Sequence, residues 1–250
     1  MRFDERYIAR VTLDPSHDTG RYPFTLPVVR ELAGGDGIDF DERVTFLVGD
    51  NGTGKSTIIE AIAVASGFNA EGGSTSFRFA TRATESSLAD YIMIQRGLKR
   101  PRTGYFLRAE SFYNVATEIE RLDLAEPEPL LPAYGGTSLH ERSHGESFLD
   151  LVMHRFRPGG LYILDEPEAA LSVKGCLALV ARIIELADER SQFIIATHSP
   201  VLLSVPGARI LQFDEDGRIG QVSYDDAEPV NLTRRFLADP ARYLRYVLED

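Results

Sequence analysis

Short apolar runs that stop at a glycine or an acid recur along this chain, and stretches with helical spacing lie between them. Arg43–Val48 (RVTFLV) ends at Gly49, and Ser56–Ala65 (STIIEAIAVA) follows with apolar residues three and four apart. LYIL, beginning at Leu161, leads into Asp165 and Glu166, and an apolar run through Ile194 and Ile195 leads into Thr197, His198 and Ser199. Runs that are apolar throughout, without alternation, are what parallel strands buried on both faces require. After the second run, LALVARIIELADE (Leu177–Glu189) has the stripe of a helix that covers a sheet.

The flanks differ. Tyr7–Leu13 (YIARVTL) alternates apolar and polar positions, and with Phe24–Val29 (FTLPVV) and Ile38–Phe40 it predicts an antiparallel edge of two or three strands. Leu88–Gln95 fits a helix, although IMI within it fits a strand equally well. Gly104–Leu107 reads as a short strand and Phe112–Leu122 as a helix, while Gly67–Ala83 and Leu124–Pro132 read as loops. Near the end, Arg209–Phe213 and Arg218–Tyr224 flank DEDG as a hairpin, and Leu232–Leu248 reads as one or two helices broken at Pro240. The expected architecture is one α/β domain over 1–250, with 1–66 and 151–250 as its core and 67–150 as a compact helical insertion lobe.

Composition narrows the classes. The 250 residues are 43% hydrophobic and 26% charged, ordinary for a soluble domain, and no apolar run approaches the roughly 18 residues of a membrane span. MRFDERYIAR is too charged for a secretory signal, so a cytoplasmic location without membrane insertion is expected. The single cysteine, Cys176, excludes an intrachain disulfide and sits in an apolar run suited to packing. A net charge of -11 argues against attraction of the whole surface to nucleic acid. Locally the balance reverses: Arg78, Arg82, Arg96, Lys99, Arg100, Arg102 and Arg108 face only Glu85 and Asp90. That surplus is either a solvated face or a contact for nucleic acid or an acidic partner.

The chemistry concentrates in GDNGTGKST, Gly49, Asp50, Asn51, Gly52, Thr53, Gly54, Lys55, Ser56 and Thr57, which satisfies G-x-x-x-x-G-K-[ST] between a strand and a helix. Small residues there leave backbone N–H groups free to take a polyphosphate at the positive helix end. Lys55 supplies charge to the β and γ phosphates of ATP, and the Ser56 hydroxyl is the expected Mg²⁺ ligand. Asp165 ends the second strand, where the first acid holds the metal and the second, Glu166, orients or deprotonates water. His198, at the end of the third strand, can hydrogen-bond a γ-phosphate oxygen or the attacking water. Arg108, Glu110 and Ser111 occupy a similar strand end. SHGES (Ser143–Ser147) opens an amphipathic run, so Ser143 with Gly145 can form a second anion site at a helix N-terminus, or Ser143 and Glu146 can form a plain capping box. An aromatic of the N-terminal edge, Tyr7 or Tyr22, is available to stack on adenine or simply to pack.

In order, GDNGTGKST, RAES, SHGES, LYILDEPEAALS and IIATHSP resemble the Walker A, Q-loop, signature, Walker B with D-loop, and H-loop blocks of ABC-class P-loop ATPases, over nearly the whole chain. The likeness is to the soluble branch of SMC, recombination-repair and OLD-type ATPases, and most of all to small standalone AAA-family ATPases with FLRAESF, SHGESF and ATHSP blocks. It implies a P-loop core with a mixed, largely parallel sheet, Mg²⁺ and ATP as ligands, and two copies meeting head to tail around the nucleotide. On that pattern Ser143 and Gly145 touch the γ-phosphate held by the other copy's Lys55, Glu166 is the general base, His198 senses the γ-phosphate, and Ala169–Ser172 joins the subunits. The pattern departs in three places: LSGGQ is absent with His144 at a usual glycine, Glu110 or Ser111 replaces the Q-loop glutamine as the metal ligand, and neither a long coiled coil nor a nuclease domain is present. An ATPase that switches a separate effector protein or a nucleic acid, in DNA repair or phage defence, is the expectation. An ATP-gated binding module or a membrane transporter's ATPase subunit are its rivals.

Overall fold

A computed structural model describes residues 6–16, 20–75, 87–125 and 143–249. The strands are β1 (Ile8–Leu13), β2 (Ile38–Asp39), β3 (Val44–Gly49), β4 (Ile92–Arg96), β5 (Thr103–Arg108), β6 (Gly160–Asp165), β7 (Gln192–Ala196), β8 (Arg209–Phe213) and β9 (Ile219–Val222). The helices are α1 (Pro27–Gly34), α2 (Lys55–Ala65), α3 (Phe112–Ala125), α4 (His144–Arg155), α5 (Val173–Asp188), α6 (Glu228–Ala238) and α7 (Pro240–Glu249).

Six strands form the central sheet in the order β5-β6-β7-β3-β8-β9, all neighbours parallel except the β8–β9 hairpin. Every residue of β3, β6 and β7 is buried, so alternate side chains feed two separate cores. Phe46, Tyr105, Tyr162, Leu164, Phe193 and Ile195 enter one core with Phe112, Phe148 and Leu179 from α3, α4 and α5. Leu47, Phe106, Leu161, Ile163 and Ile194 enter the other with Ile58, Ile59 and Ile62 from α2. The first core stacks Phe156 on Tyr162, with ring centroids 4.1 Å apart and planes 9° from parallel.

The second core is closed by a three-stranded antiparallel sheet, β2-β1-β4. Gln192, at the start of β7, joins the two sheets. Its buried Oε1 accepts from Tyr7 N at 2.8 Å and Ile8 N at 2.9 Å, while its Nε2 donates to Ile8 O at 2.8 Å.

Phe24–Val29 is a correction to the sequence reading: Pro27 opens a helix there instead of continuing a strand. Proline's fixed φ suits a first helical position, and Val28, Val29 and Leu32 then share one buried face. The ambiguous Leu88–Gln95 divides, a 3₁₀ turn over Ser87–Tyr91 preceding β4. Cross-strand pairing with β1 decides for strand where local spacing did not. The stretch 67–150 is not helical throughout, since it supplies β4 to the small sheet and β5 to the edge of the central one. Parts of it lie outside the described residues, including Arg78, Arg82 and Glu85 of the basic surplus and most of Leu124–Pro132.

Candidate nucleotide site

β3 lies between β7 and β8, so its C-terminal turn opens at the middle of the sheet edge. Gly49 has φ 146°, and a Cβ there would lie 2.4 Å from Phe213 O. Gly54 caps α2 at φ 92°, where a Cβ would meet Val28 Cγ1 at 2.7 Å. Both positions therefore demand glycine, and the turn presents its backbone at the N-terminus of α2. Asp50, Asn51 and Gly52 are exposed, and Thr53 Oγ1 donates to Asp50 O at 2.9 Å. Lys55 is 4% exposed, and its Nζ donates to Gly49 O and Asp50 O, each at 2.8 Å. Burial pushes the Lys55 ammonium below its ordinary value, opposed by the nearby carboxylates of Glu166, Asp165 and Asp50. Phosphate oxygens at the same turn would relieve that desolvation by pairing with the ammonium.

Register brings the other blocks to this edge. Asp165 is paired with Arg108 on β5 and with Ala196 on β7. Ser56 Oγ donates to Asp165 Oδ1 at 3.0 Å, which joins the hydroxyl and the carboxylate expected to hold Mg²⁺. Burial raises Asp165 to about 6, against the lowering influence of Arg108 and the Ser56 hydrogen bond. A 5% exposed carboxylate held at that value carries an electrostatic cost that a divalent cation would remove, so the residues present fit the ion. Among the described residues no group of three or more His, Cys, Asp or Glu forms a metal cage. Mg²⁺ needs none, taking one or two protein oxygens with phosphates and water.

Glu110 does not join this pair. Its side chain is 88% exposed and 4.0 Å from Arg108 NH2, and it makes no hydrogen bond with Ser56 or Asp165 among the described residues. Ser111 Oγ instead donates to Glu71 O at 2.5 Å. The residue that reaches the site is Arg108, with NH1 2.6 Å from Glu60 Oε2 on α2 and Nε 3.3 Å from Asp165 Oδ2. Arg108 thus ties the phosphate-loop helix to the acid at the end of β6. The sequence placed it at a strand end, but Glu60 lies 48 residues away and carries no local signal of that partnership.

Glu166 follows in the left-handed region, φ 48° and ψ 51°, which few residues other than glycine adopt. Its Oε1 lies 3.7 Å from His198 Nε2, a buried nitrogen without a hydrogen-bond partner among the described residues. His198 N donates to Glu168 Oε1 at 2.5 Å, which fixes the backbone that carries the imidazole. The two side chains are 38% and 34% exposed, so both stand between the interior and an approaching ligand.

The signature block lies at the start of α4. Ser143 caps α4, and the capping box is complete: Ser143 Oγ accepts from Glu146 N, and Glu146 Oε2 accepts from Ser143 N at 3.2 Å. Ser143 Oγ also lies 2.7 Å from that carboxylate. Glu146 therefore holds the helix end with its own negative charge, so a phosphate would have to displace it. Beside this helix end a cavity of about 430 Å³ is lined by Ser143, Gly145, Leu149, Ala170, Leu171 and Ser172, among others. A Cβ on Gly145 would sit 2.9 Å from Ala170 O, so glycine lets α4 lie directly on the Ala169–Ser172 turn. Of the two aromatics, Tyr7 is 5% exposed and donates to Arg190 O, whereas Tyr22 is 66% exposed with its hydroxyl 3.4 Å from Thr57 Oγ1.

Two family models match the chain. One, "AAA domain", covers residues 29–121, and the other, "AAA domain, putative AbiEii toxin, Type IV TA system", covers residues 147–204. No curated protein matches the sequence. Among solved structures, cbiO1 from Clostridium perfringens, part of the ABC transporter complex cbiONQ, is 17% identical with TM-score 0.50, over 98% of this chain and 100% of that one. The SmcHead bound to the C-winged helix domain of ScpA is 16% identical with TM-score 0.50, over 88% and 99%. The SMC head domain from Thermotoga maritima is 17% identical with TM-score 0.43, over 86% and 98%. At 17% and 16% identity with a TM-score of 0.50, the likeness to cbiO1 and to the SmcHead speaks for the fold alone.

Proposed function

We propose that this chain, whose P-loop α/β fold is that of the ABC-class ATPases and SMC heads, binds Mg²⁺-ATP, pairs head to tail with a second copy on doing so, and hydrolyses the nucleotide. The observation that carries the proposal is convergence: Lys55, Ser56, Asp165, Glu166 and His198 meet at the C-terminal ends of three adjacent parallel strands. That is where an open α/β sheet places its ligand.

The residues divide the work. The Gly49–Thr57 turn and Lys55 bind the phosphates. Ser56 and Asp165 would hold Mg²⁺, which when bound neutralises charge on the β and γ phosphates. Glu166 accepts a proton from the attacking water, and His198 donates a hydrogen bond at the γ-phosphate. Tyr22, exposed beside Thr57, stacks on adenine, while the burial of Tyr7 removes the other candidate. Ser143 and Gly145 of the other copy complete the site, and the cavity between α4 and the Ala169–Ser172 turn supports that assembly by exposing both blocks on one face. A helix end brought over the γ-phosphate adds positive potential and excludes water. The association would in turn switch a separate effector protein or a nucleic acid, in DNA repair or phage defence.

The capping box favours a second reading, an ATP-gated module with slow turnover, because Glu146 must leave Ser143 before phosphate arrives. A transporter subunit is the third. No helix among the described residues is long and apolar enough to cross a membrane.

Glu166→Gln separates these readings. With ATP the variant should accumulate as a dimer by light scattering and release phosphate at least 100-fold more slowly than the parent, as loss of a general base implies. Unchanged turnover would remove Glu166 from the mechanism, and a monomer at saturating ATP would remove the head-to-tail pair.

A further inference from the structure

The opposite pole of the central sheet carries a second basin. A pocket of about 310 Å³ opens where β5, β6 and β7 begin, and its rim includes Lys99, Arg100, Arg102, Gly159, Glu189 and Arg190. At about 3.3 Å per residue, it lies roughly 20 Å from the strand ends that bear Arg108 and Asp165. Four cations against one carboxylate is the reverse of a chain whose net charge is -11. All four side chains are exposed, and Arg100, Arg102 and Arg190 make no side-chain hydrogen bond or ion pair among the described residues, even with Glu189 beside them.

The backbone singles out one of them. Arg190 ends α5 in the left-handed region at φ 71°, with Ser191 N donating to Leu186 O at 2.9 Å and Arg190 N to Ala187 O at 3.1 Å. A helix end of that pattern normally takes glycine, and any other residue there costs about 1 kcal/mol or more. An arginine at that position presents a charge at a conformational cost that glycine would avoid. The rim is also held together: the Tyr7 hydroxyl donates to Arg190 O at 3.0 Å, and Arg102 N donates to Gly159 O at 3.0 Å. Four distant stretches of chain, tied in two pairs, thereby meet around one opening.

The chemistry of the ligand follows from exposure. A solvated arginine gains only about 0–1 kcal/mol from a single counter-charge, so a free phosphate would bind weakly here. A polymer with one charge per roughly 1.7 Å of axis adds counterion release for each phosphate neutralised. An extended acidic peptide spaces carboxylates on one face about 7 Å apart and matches a tight cluster less well. We propose that this pocket is a contact site for the phosphate backbone of nucleic acid, gripped by Arg100, Arg102 and Arg190 with Lys99 at its edge. The site names the kind of partner the ATPase reading leaves open and does not depend on hydrolysis.

Fluorescence anisotropy of the full chain with labelled single-stranded and duplex DNA tests it. About four phosphate contacts should give a slope of about -3 in log affinity against log salt, or roughly a 50-fold loss for a fourfold rise in salt. Arg100→Glu with Arg102→Glu should weaken binding about tenfold or more and flatten that slope, while Lys55→Ala, aimed at the nucleotide site, should leave DNA affinity unchanged. ATP affinity reports whether the arginine variants are folded, thermal unfolding does so for Lys55→Ala, which loses ATP binding, and Arg100→Gln with Arg102→Gln, which removes charge without reversing it, should give a smaller DNA-binding loss of the same sign. The proposal is overturned if the parent does not bind DNA, if the slope is near zero, or if the charge variants match the parent. Displacement of DNA by polyglutamate at equal charge concentration would overturn it too, by assigning the surface to an acidic protein.

Discussion

Replacing Asp165 by asparagine should make the nucleotide-free protein more stable while disabling it. Asp165 is 5% exposed and titrates at about 6, against an ordinary value of 3.8. Between those two values the native state holds a proton that the unfolded state has lost, so stability falls as pH rises from about 4 through 6. The gap between the two corresponds to about 3 kcal/mol at neutral pH, a figure that already includes attraction to Arg108. The Asp165→Asn variant would carry no such charge. The new amide can accept from Arg108 and donate to Ser56 Oγ, since a hydroxyl serves in either role. The expected gain is about 1–3 kcal/mol at pH 7.5, or roughly 3–10 °C in melting temperature for a domain of this size. At pH 4 the gain should shrink to about 0.5 kcal/mol or less, because the parent's Asp165 is then almost fully protonated in the native state and about two-fifths so in the unfolded one. Urea unfolding of both proteins at the two pH values, without nucleotide or Mg²⁺, measures it. Mg²⁺ dependence of ATP binding should be lost in the same variant. Destabilisation at pH 7.5, or a gain equal at both pH values, would refute the argument that burial of this carboxylate, relieved by a cation, is the site's electrostatic design.

Further outcomes follow from other contacts. Lys55→Ala should abolish ATP binding in a calorimetric titration, whereas retained affinity would contradict the phosphate-loop geometry. Gln192→Met deletes three buried hydrogen bonds between the two sheets, which at about 1 kcal/mol each should cost about 3 kcal/mol in urea unfolding. Arg108→Gln strips Glu60 and Asp165 of their shared cation and should cost about 2–3 kcal/mol of apo stability at neutral pH, an effect that added Mg²⁺-ATP should partly offset. Gly145→Ala should shift the Ala169–Ser172 turn, since its Cβ would stand 2.9 Å from Ala170 O, and weaken ATP-dependent dimerisation while leaving nucleotide affinity of the single chain unchanged.

The buried strands and their ends were legible in the sequence because they depend on local pattern. Each apolar run announces a buried parallel strand, and the polar residues after it mark the strand's C-terminal end, where Gly49, Asp165 and His198 are found together. The Ser143–Glu146 capping box was legible for the same reason, its partners being three residues apart. What escaped was set by pairing across the chain. Gln192 meets Tyr7 over 185 residues, and nothing near QFII hints that its amide would bind β1. Arg108 gained its place from Glu60 on another element, and the 88% exposure of Glu110 could not be read from its strand-end position. Phe24–Val29 failed on β-branched composition, which outweighed a proline that was in fact opening a helix. The basic surplus was visible as a count along the sequence, but only the fold joins Arg100 and Arg102 to Arg190.

One consequence of the two-sided sheet concerns how this protein can change. Along β6 every side chain from Leu161 to Asp165 is interior, even-numbered positions on one side and odd-numbered on the other. A saturation library would therefore show an unbroken block of intolerance there, whereas the half-open β9 should tolerate exchange at Gly220 and Gln221. An insertion of one residue would exchange the two sets of side chains and rotate the acid away from Ser56 in the same event. Heredity has no way to retune that carboxylate by editing the strand that delivers it. Divergence among descendants of this sequence should collect instead in the turns at either end of the sheet.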